Sequence, residues 1–93
     1  MFVGTAIVKL HAPWVHSLKE KRSEVQKLTK RVRNKFNVSV CEADMTDVHQ
    51  TIVLGLGCVS SSKSHLDAAL QEIIRFIEQN TDAEVFDVEV EII

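Results

Sequence analysis

Aromatic residues are scarce: the 93-residue chain has no tyrosine, one tryptophan and four phenylalanines. A sheet that stacks nucleic-acid bases needs aromatic side chains on its central strands, and the strand-like stretches at the middle of this chain offer valine and glycine instead. Proline occurs once and glycine three times. With no linker, repeat or low-complexity tract, the whole chain, residues 1–93, is expected to form a single domain. Cys41 and Cys58 stand alone rather than in a C-x-x-C pair, which argues against redox, zinc or metal-chaperone chemistry and for small buried or half-buried thiols. No apolar run approaches the roughly 18 residues that span a bilayer, and Met1-Phe-Val-Gly-Thr5 lacks the charged start and cleavage signal of a secretory leader. A cytoplasmic protein with no membrane partner is expected.

Catalytic signatures are missing too. The four histidines, His11, His16, His49 and His65, have no i, i+4 spacing, and no metal site is expected although His11 and His16 flank the same stretch. That stretch, His11-Ala-Pro-Trp-Val-His16, has neither the glycine-rich loop nor the arginine with which an acylphosphatase cradles phosphate. No serine or cysteine is paired with a base. No catalytic residue, small-molecule cofactor or metal is assigned, and the chain is not expected to be an enzyme.

What is present is a concentration of positive charge. Formal net charge is −2, yet 8 of the 11 Lys and Arg residues fall between Ser17 and Lys35. Ser17 and Glu20 form a capping-box spacing that starts a helix, and Leu18, Val25, Leu28, Val32 and Phe36 recur at helical intervals and mark its buried sector. Projected at about 100° per residue, Arg22, Arg33, Lys19, Lys30 and Lys27 lie along one flank, with Glu20, Glu24, Arg31 and Lys35 on the other. Such a flank can follow a phosphate backbone, and Trp14, just before the helix, is placed to stack on a base. The same residues also read as a solvated face with Trp14 capping the core, and the sequence leaves both open.

The remaining elements follow from periodicity. Phe2 to His11 has apolar residues on both alternating sets, as a central strand does. Val38 to Ala43 alternates and reads as an edge strand, and Gln50 to Val59 reads as a β-branched strand with Ile52, Leu54, Leu56 and Cys58 on one face. Ser60, Ser61, Ser62 and Ser64 supply several caps, including a Ser64 to Asp67 box, for a second helix with the stripe Leu66, Ala69, Leu70, Ile73, Ile74 and Ile77. Ala83 to Ile93 alternates Phe86, Val88, Val90 and Ile92 against Asp87, Glu89 and Glu91. The order strand, helix, strand, strand, helix, strand predicts an α+β, ferredoxin-like βαββαβ fold, a four-stranded antiparallel sheet with both helices on one face. On the open face Val3, Ile7, Val53, Gly55, Gly57 and Val59 form a candidate surface for a homodimer or a docked partner.

Ser17-Leu-Lys-Glu-Lys-Arg22, then Arg31-Val-Arg-Asn-Lys-Phe-Asn-Val-Ser-Val-Cys-Glu42, then a strand ending in a glycine-containing apolar run, together resemble the YlxP-like family of small bacterial proteins, a domain of unknown function. The resemblance covers essentially the whole chain. It implies a ferredoxin-like fold and a gene setting among translation and ribosome-maturation factors, and it carries no catalytic residue. The expectation is a small binding protein associated with RNA or a ribosomal particle through Lys19, Arg22, Lys27, Lys30 and Arg33, with Trp14 beside them. The alternative is an interaction module that dimerises or docks a partner through its open sheet face.

Overall fold

Strand β1 (Phe2–His11) lies between two neighbours, which is why both of its faces are apolar. The computed structural model describes Met1–Ile93 and gives the order β1, α1 (Leu18–Lys35), β2 (Ser39–Asp44), β3 (Thr51–Ser60), α2 (Lys63–Gln79) and β4 (Glu84–Ile92). The sheet runs β2-β3-β1-β4 with every neighbouring pair antiparallel. Both helices contribute to a core on one side of it, so the fold is ferredoxin-like.

Ala6, Val8 and Leu10 of β1 and Ile52, Leu54 and Leu56 of β3 form the floor of the core. Val25, Leu28 and Val32 of α1 and Leu70, Ile73, Ile74 and Ile77 of α2 close it from above. The strand-to-helix loop joins the same core through Ala12 and Val15, both fully buried. Gln50 fixes that loop: its carbonyl accepts from the Ala12 N–H at 2.8 Å, and its side-chain amide donates to the Pro13 and Val15 carbonyls at 3.0 and 3.3 Å. Trp14 is thereby turned outward and is 38% exposed.

Ser17 caps α1 by accepting from the Glu20 N–H at 3.1 Å. At the far end the Phe36 and Phe76 rings meet edge to face at 5.3 Å, joining the two helices. Helix α2 is capped by Ser62, which accepts from the His65 N–H at 3.3 Å, rather than by Ser64. Of the serines before the helix, Ser62 is the one with extended backbone angles directly ahead of the first helical residue.

One alternation breaks. A register shift in the β1–β4 pair between Lys9 and Leu10 sets Val85, not Phe86, opposite core-facing Leu10. Val85 packs on the core and Phe86 is 54% exposed, so the expected face Phe86, Val88, Val90, Ile92 holds only from Val88 onward. A second shift, between Glu42 and Asp44, shortens the paired length of β2.

Candidate nucleic-acid interface

With the apolar sector of α1 packed on the core, the turn of about 100° per residue sets which way its cations face. Lys19, Arg22, Lys30 and Arg33 are exposed. The ion pairs of the molecule are Lys9–Asp87, Lys21–Glu42 and Lys27–Glu24, so no carboxylate lies within pairing distance of Lys19, Arg22, Lys30 or Arg33. Arg33 is held by a hydrogen bond from Nη2 to the Val40 carbonyl at 3.0 Å, which ties this flank to the β2 edge and leaves other guanidinium donors free. Lys27 is 3.7 Å from Glu24, a solvent-exposed pair of small energetic value that nonetheless answers its charge locally.

Trp14 is on the other side of the helix from Arg22 and Arg33. It lines a groove of about 360 Å³ with Glu24, Lys27, Arg31, Gln79, Asn80, Thr81 and Asp82, and a second hollow with Lys19, Glu20, Ser23 and Glu24. Glu24 is about 200° around the helix from Arg22. The six residues expected to act together therefore divide: Arg33, bonded to Val40, and Arg22 beside it lie toward β2, Trp14 and Lys27 lie toward α2, and Lys19 and Lys30 fall between them at helical periodicity. Arg31 donates to the Asn80 carbonyl at 3.1 Å and braces α1 against the end of α2.

Sequence reasoning missed Lys21. It is 1% exposed, the one buried cation of α1. Its ammonium is 2.8 Å from Glu42 Oε2 and also donates to the Met45 carbonyl. Glu42 Oε2 is closed off from solvent, and the ammonium is what answers its charge. Met45 itself has φ of 54° in the left-handed region, and its carbonyl also accepts from the Val48 N–H at 3.0 Å. Lys21 thus ties the first turn of α1 to the end of β2 and to the β2–β3 connection. The signal was present: at helical periodicity Lys21 falls about 20° from Leu28 and 40° from Val25, inside the apolar sector.

The open sheet face is less apolar than expected. Val59 is 65% exposed and Val3 and Ile7 are half-buried, but Val53 is only 3% exposed and offers nothing to a partner. Its cross-strand neighbours are Lys9 and Asp44. Gly55 serves an internal need, since a Cβ there would be 3.2 Å from the Ala43 Cβ, whereas one at Gly57 would meet nothing within 4 Å. Asp87, Glu89 and Glu91 share this face beside Lys9, Ile7 and Thr5.

The cysteines are free and differ in setting. Cys41 is exposed, contrary to the expectation that both thiols are buried or half-buried, because β2 is an edge strand and Cys41 points to the open face near Gly55. Cys58 is half-buried beneath the helices, and burial pushes its thiol pKa up. All four histidines are exposed, and no three His, Cys, Asp or Glu side chains converge on a metal-sized site. No helix is long and apolar enough to cross a membrane.

Residues 3–90 match a family described as "Protein of unknown function (DUF503)". Over 68 residues the chain is 40% identical to the "Uncharacterized protein YlxP" of Bacillus subtilis (strain 168), a stretch that covers 73% of this chain and 74% of that relative. With the family match spanning nearly every element from β1 to β4, the chain belongs to the DUF503 family and is YlxP-like.

Proposed function

We propose that this protein is a small, non-enzymatic binding protein that docks on RNA, within a ribosomal particle, through the basic flank of α1. The observation that carries this reading is the set Lys19, Arg22 and Lys30, exposed on one helix and without a carboxylate partner in a molecule of net charge −2. From Lys19 to Arg33 the flank runs 14 residues, about 21 Å of helix, long enough to meet several phosphates. The acidic ladder Asp87, Glu89, Glu91 lies on the open side of the sheet, away from the helices. A polyanion is therefore steered to the helical layer and repelled by the other. Arg33, anchored to Val40, adds a positioned guanidinium at the β2 end, and Trp14 with Lys27 supplies a separate rim toward α2. The choice of ribosomal RNA among polyanions rests on the ribosome-maturation setting that the YlxP resemblance implies.

The test is co-sedimentation with ribosomal particles at low and moderate salt, for the wild type and for K19Q/R22Q/K30Q. Arg33 is left intact because it also holds the Val40 carbonyl. Wild-type binding that weakens with salt, and its loss in the variant, is the expected result. Equal binding by both proteins removes the flank from the account.

A second reading is favoured by exposed Val59 and half-buried Ile7 and Val3, on the face where Gly57 leaves the sheet surface open. It makes this face a homodimer or partner interface. Val53 drops out of it, and because Val53 is buried, Ile7→Lys is the cleaner probe. On this reading the wild type sediments as a dimer and Ile7→Lys as a monomer; a wild type that stays monomeric at all concentrations counts against self-association.

A further inference from the structure

The two edges of the sheet are not alike. The β2 edge is blunted: its strand is six residues long, broken by the register shift beyond Glu42, and fastened to α1 through Arg33 and Lys21. The β4 edge is straight from Asp87 to Ile92 and contains no proline, lysine or glycine. Val3 and Ile93 exchange two backbone hydrogen bonds, at 2.7 and 2.8 Å. Antiparallel pairing alternates from there, so Thr5↔Glu91, Ile7↔Glu89 and Lys9↔Asp87 are the other bonded pairs. The N–H and C=O groups of Val88, Val90 and Ile92 consequently point outward from the sheet.

Side chains along this edge are sorted by face. Val88 and Val90 are 38% and 37% exposed because α2 covers β1 and β3 more than it covers β4. Phe2 and Ile92 line an open groove of about 610 Å³ at one end of that apolar strip, beside the start of α2. On the opposite face stand Asp87, Glu89 and Glu91, of which only Asp87 has a cation nearby, Lys9 at 3.8 Å. A second copy of β4 in antiparallel pairing sets carboxylate against carboxylate on that face, which is destabilising.

We infer that the β4 edge, through Val88, Val90 and Ile92, accepts an extended segment of a partner protein in which apolar residues alternate with lysine or arginine. The added strand takes up the outward backbone groups, packs its apolar residues beside Val88 and Val90, and sets its cations against Glu89 and Glu91. Backbone pairing supplies affinity, and the two-sided pattern supplies selectivity. This surface is separate from the α1 flank.

The probe is a synthetic peptide of alternating lysine and valine spanning the length of the edge, with a glutamate–valine peptide as control, read by amide chemical shifts and by a binding isotherm on the full chain. The lysine peptide is expected to shift and protect the amides of Val88, Val90 and Ile92, and the glutamate peptide to leave them unchanged. Val90→Pro removes one outward donor without touching the β1 ladder and is expected to weaken binding about tenfold. E89Q/E91Q, which leaves backbone and fold intact, is expected to weaken binding and flatten its salt dependence. Equal binding of both peptides, binding mapped to other residues, or no binding to the wild type overturns the inference. A wild-type dimer that Val90→Pro dissociates overturns it as well, by making a second copy the occupant.

Discussion

Lys21→Met is expected to lower the stability of the fold by about 3 kcal/mol, the low end of the range for breaking a buried ion pair. The ammonium is 1% exposed and Glu42 is 17% exposed, so its removal leaves a carboxylate largely out of water with no counter-charge. The Met45 carbonyl loses a donor in the same step. Against a total stability of about 5 to 15 kcal/mol for a domain, that is a large fraction. The paired substitution separates charge from packing: K21M/E42L removes both ions, replaces them with apolar atoms of similar bulk, and is expected to recover most of the loss. Urea denaturation of the three proteins checks this. A K21M variant within about 0.5 kcal/mol of the wild type, the range of ordinary surface substitutions, contradicts the assignment of Lys21 to the core.

Leu70→Ala is expected to cost about 3 kcal/mol, as usual for emptying a fully buried leucine site, and its partner in the sheet makes the effect diagnostic. A Cβ built on Gly4 would lie 2.8 Å from Leu70 Cδ1 and 2.9 Å from Leu66 Cγ. Gly4 is thus small because α2 rests directly on β1 there. Gly4→Ala alone is expected to destabilise by about 1 to 2 kcal/mol through overpacking. In the Leu70→Ala background the clash with Leu70 is gone and the new methyl occupies part of the cavity. The double variant is therefore expected to be more stable than the sum of the single losses by about 1 kcal/mol. Thermal or urea unfolding of the cycle reads the coupling, and strict additivity means that the two residues do not share a contact.

Much of this architecture was legible in the residues. Two-sided apolar content marked β1 and β3 as central, alternation marked β2 and β4 as edges, and the 3.6-residue stripes of α1 and α2 set which faces they bury. The misreadings came from places where one residue changes phase or partner. A period-two pattern has no means of showing the bulge that exchanges Val85 for Phe86, because both residues are apolar and Phe86 is the one in phase with Val88, Val90 and Ile92. Val53 alternates as an open-face residue, but it is buried between its cross-strand neighbours Lys9 and Asp44. Lys21 was grouped with the cations by charge although its angular position is apolar; its partner Glu42 comes from another element, 21 residues on in the chain. Helical projection put Lys19, Arg22, Lys30 and Arg33 among the exposed cations of α1, but it did not show that Lys27 pairs with Glu24, and the direction taken by Trp14 depended on Gln50 fastening the preceding loop.

Phosphate engagement by the free cations of α1 is read in the salt dependence of RNA binding. For single-stranded RNA each neutralised phosphate adds about −0.7 to the slope of log affinity against log salt concentration. Removing Lys19, Arg22 and Lys30 together is therefore expected to make that slope shallower by about 2 as affinity falls. The measurement is a salt titration of binding to a single-stranded ribosomal RNA fragment for the wild type and K19Q/R22Q/K30Q. A shallower slope and weaker binding are expected for the variant; identical slopes and affinities for the two proteins would mean that these cations do not meet phosphate.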